Sequence, residues 1–198
     1  HPSVATTLNN LAELLQGQPG YSEEAERLCR RALSIRLDAL GFRHPEVAVS
    51  LETLASVLED QGEQVLPGLL YRLALAITAK ALGTGHPEVA GSMNSLGQWL
   101  QTQREYTEAE RLHRHALAIR EQVLGPNHSA VVSSLNNLAT VLLARGDEAA
   151  AEPLLRRALA IAETRLGRDH PSTRTVRKNL EALQEQLREG RIGRQQSP

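Results

Sequence analysis

The phrase Leu135-Asn136-Asn137-Leu138-Ala139 returns along this chain, more or less worn, as Leu8-Asn9-Asn10-Leu11-Ala12, Leu51-Glu52-Thr53-Leu54-Ala55 and Met93-Asn94-Ser95-Leu96-Gly97. A recurrence at fixed period decides architecture before local propensity does, because each copy must fold the same way. His1, His44, His86, His128 and His170 stand 43, 42, 42 and 42 residues apart. Leu-Gly pairs ending in Gly41, Gly83, Gly125 and Gly167 precede the last four histidines. The resulting boundaries are repeats 1–43, 44–85, 86–127 and 128–169, a half-repeat 170–189 and a tail 190–198.

Each repeat reads as two helices. Pro2, Pro45, Pro87 and Pro171 suit a first helical position, where the missing N–H had no partner. Ser129 takes that place in the fourth repeat. Glu46 and Glu88 follow in the first turn, where the helix dipole favours a carboxylate. Val4, Leu8, Leu11, Ala12 and Leu15 have helical spacing, as do Ala25, Leu28, Ala32 and Leu33 after the break at Gly17-Gln18-Pro19-Gly20. The glycines before the histidines fit a left-handed residue closing the second helix. No run alternates with period two, so no strand is predicted. Small residues recur at Ala12, Ala55, Gly97 and Ala139, and at Ala32, Ala74, Ala116 and Ala158, where helices can approach closely. The fold predicted is an all-α solenoid of antiparallel helix pairs, each sheltering its apolar face on its neighbours.

The ends differ. Val176, Leu180, Leu183 and Leu187 leave one narrow apolar stripe between Pro171 and Glu189, as a terminal cap requires. Residues 190–198 are polar and expected to be disordered. The chain lacks an initiator Met and opens on a repeat. It is therefore expected to be a piece of a longer protein, with further domains upstream. Its uncapped first hairpin is expected to expose apolar surface.

Composition excludes several function classes. Lys and Arg number 22 against 23 Asp and Glu, and aromatics are 3 %. Such a chain has neither the field nor the stacking surface for nucleic acid. The longest apolar stretch, Leu69 to Leu82, is broken by Arg72 and Lys80, so no membrane span is expected. The single Cys29 permits no internal disulfide and, with no signal peptide, fits a reducing, cytoplasmic location.

Taken together, His-Pro-Glu-Val-Ala, Leu-Asn-Asn-Leu-Ala, Tyr106-Thr107-Glu108-Ala109-Glu110-Arg111-Leu112, Arg156-Arg157-Ala158-Leu159-Ala160-Ile161 and Leu-Gly-x-x-His-Pro resemble tetratricopeptide repeats of the kinesin light chain type. The resemblance covers Pro2 to about Leu187. It implies a right-handed superhelix whose first helices line a concave groove that binds a peptide or protein segment. A period near 42 also suits HEAT or armadillo arrays. The paired small residues and the Tyr-x-Glu-Ala opening favour the tetratricopeptide form. The second repeat departs most: Gln64 replaces the tyrosine, and Leu66-Pro67-Gly68 stands where Glu108-Ala109-Glu110 would be. Pro67 is tolerable only in a first turn, so that helix should start near Leu66.

The polar face beside the core stripe is the candidate binding site. It comprises Thr6, Asn9, Asn10 and Glu13; Glu52 and Thr53; Asn94, Ser95 and Gln98; Asn136, Asn137 and Thr140; and Lys178 and Asn179 on the cap. Asparagine is a mediocre helix former, so its return in mid-helix wants a reason. An amide offers donors and an acceptor to an extended peptide's backbone. The same amides could instead bridge neighbouring helices. Glu13, Glu52, Glu59 and Asp60 lie toward the N-terminal half of this face, and Arg174 and Lys178 at its end. A peptide's acidic part would then lie near the cap.

Other candidates reduce to structure. Successive helices are roughly 8–10 Å apart, too far for periodic histidines to share a metal, so they are expected as N-caps. Arg30, Arg72, Arg114 and Arg156 read as solvated surface, Cys29 as a small partly buried residue, and Trp99, aligned with Val57 and Val141, as packing. No nucleophile elbow, phosphate loop or metal-binding helix motif occurs, so no catalytic residue, metal or cofactor is assigned. The expected function is non-catalytic binding of a protein or peptide partner. The alternative is a structural spacer or oligomerising arm of a larger regulatory protein.

Overall fold

Punctuation at the helix ends carries the architecture. In the computed structural model, His1, His44, His86, His128 and His170 each turn Nδ1 back to accept the backbone N–H two residues on, from Ser3, Glu46, Glu88, Ala130 and Ser172 at 3.1–3.3 Å. The periodic histidines are therefore caps that satisfy one of the free donors of a helix start. The structure describes the backbone of residues 1–195 and side chains to 189.

Nine helices and no strands occur among the described residues: α1 (Pro2–Leu15), α2 (Ser22–Leu40), α3 (Pro45–Asp60), α4 (Leu66–Leu82), α5 (Pro87–Thr102), α6 (Tyr106–Leu124), α7 (Ser129–Ala144), α8 (Glu148–Arg165) and α9 (Pro171–Gln195). The α4 start falls at Leu66 with Pro67 in its first turn, as the sequence requires. The closing glycines depart from expectation in one angle. Gly41 (φ 78°, ψ 159°) and Gly83 (φ 85°, ψ 150°) keep positive φ but extended ψ, a region essentially closed to residues with a Cβ. Each still donates its N–H to the carbonyl four residues back.

The chain divides into two compact units, His1–Gln103 and Arg104–Pro198. In the first, α1 packs on α2, α3 on α4, and α1 and α2 on α3, with α5 against α4. Ala12, Ala25, Leu28, Cys29, Leu54 and Leu58 form one core cluster; Val47, Leu51, Ala74 and Ile77 form the next. In the second, α7 packs on α6 and α8, and α9 covers α8 and touches α7. Val176, Leu180 and Leu183 are the buried stripe of α9. That helix runs past the Glu189 boundary set from sequence to Gln195, so the backbone of 190–195 is helical rather than a disordered tail. Arg191, Arg194 and Gln195 favour helix there, against Gly190 and Gly193. Residues 196–198 of the expected tail lie outside the described residues. Val4, Leu11 and Leu14 of α1 are exposed, Leu14 to 70 %.

Candidate peptide-binding site

Within the first unit the polar sides of α1, α3 and α5 meet around a concavity of about 390 Å³. Helical periodicity explains its lining: Val49, Glu52, Thr53, Ser56 and Glu59 lie three or four apart and share one side of α3. Glu13 comes from α1, and Gln16 from just past its end. Ser95, Gln98 and Trp99 come from α5, and Tyr71 reaches in from α4.

The lining is tied together by side-chain hydrogen bonds. Thr53 Oγ1 lies 3.4 Å from Glu13 Oε1 and 3.1 Å from the Val49 carbonyl. Gln16 Nε2 donates to Ser56 Oγ at 2.7 Å. Ser95 Oγ lies 3.3 Å from Glu52 Oε2, and Thr102 Oγ1 lies 3.1 Å from Glu59 Oε1. Burial pushes the Glu52 carboxyl above its ordinary range, against hydrogen bonds from Ser92 and Ser95 that favour the ionised form. Burial also raises Glu59; Thr102 and Tyr71 oppose it, and Asp60 adds to it. Among the described residues no Lys, Arg or His lines this concavity.

Trp99 is nine-tenths buried, and its Nε1 has no hydrogen-bond partner. An indole N–H is a donor only and normally finds an acceptor when buried. The far edge of the ring sits over Gly68 of α4, where an added Cβ would overlap Cη2, Cζ2 and Cζ3. The glycine that breaks the second repeat and the lone tryptophan of the third are therefore two halves of one contact. In other repeats that glycine's position holds Glu26, Glu110 and Glu152, which pair with Arg30, Arg114 and Arg156.

The asparagine row divides by position. Asn9 is 2 % exposed and donates from Nδ2 to Ser50 Oγ of α3 at 3.2 Å, so it bridges helices. Asn94 is buried in the stack as well. In the second unit Asn179 donates to Asn136 Oδ1 at 2.9 Å, which ties α9 to α7. These four amides serve the repeat contacts. Asn10, Glu13 and Gln98 are exposed, Glu52 and Ser95 are half-buried, and Thr53 is buried under the concavity floor. In the second unit Lys178 is exposed, Asn137 and Thr140 are half-buried, and Thr140 donates to the Asn137 carbonyl at 2.8 Å.

Sequence reasoning missed Arg36 and Arg120. Arg36 is 3 % exposed and donates to the Glu46 carbonyl, Ser50 Oγ and Thr6 Oγ1 at 2.8–3.1 Å. Arg120 does the same for Ala130 O, Ser133 and Ser134 at 2.8–3.0 Å. Thr6 is thus bound to a helix clamp. Trp99 and Tyr71 were missed as lining too; the signal for Trp99 was its coincidence with Gly68, two departures from the repeat at one contact.

The tetratricopeptide repeat model matches residues 70–122, 92–164 and 133–189, and a second model of the same description matches 4–46. The chain belongs to the tetratricopeptide repeat family. Its repeats are of the kinesin light chain type. The nearly identical TPR-like repeats of a candidate kinesin light chain from Podosopora anserina superpose with a TM-score of 0.72 at 28 % identity, over 100 % of this chain and 99 % of that one. A singly substituted variant of the same repeats gives 0.73 at 27 %, with the same coverage. BtubC (BKLC) from P. vanneervenii shares the fold, with a TM-score of 0.74 at 24 % identity over 100 % and 83 % of the two chains. Among curated proteins none matches the chain. Tetratricopeptide repeats are protein–protein interaction modules, and this chain is one. Among the described residues no helix is long and apolar enough to cross a membrane.

Proposed function

We propose that these tetratricopeptide repeats hold an extended segment of a partner protein along the polar side of their first helices, without catalysis. One observation supports this above the others: side chains from α1, α3 and α5 converge on a single open concavity in the first unit. Such a surface gives an extended chain polar partners along its length. Glu13 and Gln98 are exposed members of its lining, and Asn10 is exposed on α1. Asn137, Thr140 and Lys178 offer the corresponding groups in the second unit. Affinity is modest, since one short segment must offset its own ordering.

The test is site-specific photocrosslinking to peptides selected from a random linear library. A benzophenone side chain placed at Gln98 should capture the selected peptides, and one at Lys80 on α4 should not. Capture at Lys80 alone would place binding on the second helices and refute this reading. A selection that yields no peptide from the folded chain would return it to the role of a spacer.

A further inference from the structure

The concavity in the first unit gathers negative charge without its complement. Glu13, Glu52 and Glu59 reach it from α1 and α3, and no basic residue lines it among the described residues. A carboxylate removed from bulk water gains most from a cation brought to it. The carboxylates are spread along the lining. Among the described residues no three acidic, His or Cys side chains are grouped to share a metal ion. A point charge therefore meets this donor set poorly, and an elongated organic cation meets it well.

Trp99 supplies an independent observation. It lines the same concavity, is nine-tenths buried, and its Nε1 has no acceptor. That donor is itself covered by protein, so it gains an oxygen from a ligand, such as a peptide carbonyl, only when the indole shifts on binding. Its ring and that of Tyr71 form aromatic surface against which a cation is held favourably. Cation demand, acceptor demand and aromatic lining thus coincide in one place. A peptide carrying a basic side chain satisfies all of them, whereas an acidic peptide would meet three carboxylates.

We propose that this concavity receives the arginine or lysine side chain of a partner's extended segment. Glu13, Glu52 and Glu59 supply the counter-charge, and Trp99 supplies the wall, its covered Nε1 gaining the segment's backbone as acceptor when the indole shifts on binding. The proposal rests on the peptide-binding reading above and narrows it to a ligand chemistry.

Trp99 is the only tryptophan, so its emission reports on this site directly. The experiment titrates the whole chain with short capped glycine peptides carrying a central Arg, Lys or citrulline. Citrulline keeps the shape of arginine and removes its charge. The Arg or the Lys peptide should shift the emission saturably, and citrulline should bind at least about tenfold more weakly. The stronger of the two basic peptides names the side chain. Glu52→Gln should weaken that peptide by a similar factor, with circular dichroism unchanged. Glu13→Gln, at an exposed position, provides a second variant should Glu52→Gln perturb the fold. Equal titrations by Arg, Lys and citrulline, no saturable shift by either basic peptide, or unchanged affinity in both variants would overturn the proposal. Gln98 crosslinking that persists beside equal titrations would fail only the cation pocket. A charge-dependent Trp99 shift without Gln98 crosslinking would fail only the extended-segment reading.

Discussion

His113 is fully buried, and burial pushes its pKa down to about 4. In the unfolded chain an imidazole titrates near 6.5. Between those values the unfolded state holds a proton that the native state lacks, so stability falls as pH drops through that window. The loss reaches about 3 kcal/mol once pH is near 4. Glu52 and Glu59, raised by burial, act with the opposite sign as they take up protons. The comparison must therefore be between the wild type and His113→Leu, which borrows the residue at the aligned position Leu155. Urea midpoints for the two should converge on acidification, the wild type losing more than the variant. Equal losses would remove His113 from the account. Arg104 makes a second argument at this scale. It holds φ at 62°, where the aligned Gly62 and Gly146 sit at 84° and 80°. A side chain with a Cβ is strained there by about 1–2 kcal/mol. Arg104→Gly should raise the urea midpoint by about 1 kcal/mol equivalent at unchanged slope, because the relieved strain exceeds glycine's extra unfolded-state entropy.

Helices were legible wherever their signals were local. Histidine, proline and glycine act on their own turn, so they fix the start of α3 at Pro45 and of α5 at Pro87 without reference to the rest of the chain. Contacts between helices were not legible in the same way. The spacing of Asn9 and Asn10 puts both on one side of α1, yet only packing against Ser50 shows that the first is buried and the second exposed. Arg36 gave no signal in the sequence, since its clamp on Thr6 and Ser50 needs three helices in place. The same blindness hid the fit of Trp99 over Gly68, which yields a sharp expectation. Gly68→Ala places a methyl within 2.7 Å of three ring carbons, closer than real contacts allow. The indole must move, at about 1–3 kcal/mol of stability, as in other overpacked cores. Tryptophan emission should shift to the red and thermal stability should fall together; an unchanged spectrum would mean the ring is not seated there. The element at the start of the chain carries another expectation. Helix α1 packs on α2 and α3 but leaves Val4, Leu11 and Leu14 in solvent. Amides of α1 should exchange faster than those of α3, because local opening follows the number of buried neighbours. Equal protection in α1 and α3 would contradict that.

Net charge over the whole molecule is −1, with a sequence pI of about 6.7. A balance this close leaves no long-range field, while the carboxylates of the first unit remain locally uncompensated in the lining of their concavity. Global and local electrostatics therefore make different demands on binding kinetics. Steering by a whole-molecule field raises association rates and decays steeply with salt. A local, partly desolvated charge contact acts instead on dissociation. Exposed pairs farther apart than the Debye length, about 10 Å at 0.1 M salt, are largely screened, whereas partly buried ones are screened much less. For the Arg or Lys peptide, raising salt from about 0.05 to about 0.5 M should change the association rate by less than about threefold. Dissociation should carry the larger part of whatever affinity is lost. Stopped-flow recording of Trp99 emission at the two salt concentrations resolves both rates in one experiment. A steep fall in association rate with little change in dissociation would mean that the ligand is drawn by a broad acidic field. In that case the balance of charge along the chain would be misleading, and the counter-charge of Glu13, Glu52 and Glu59 would not be where the ligand is held.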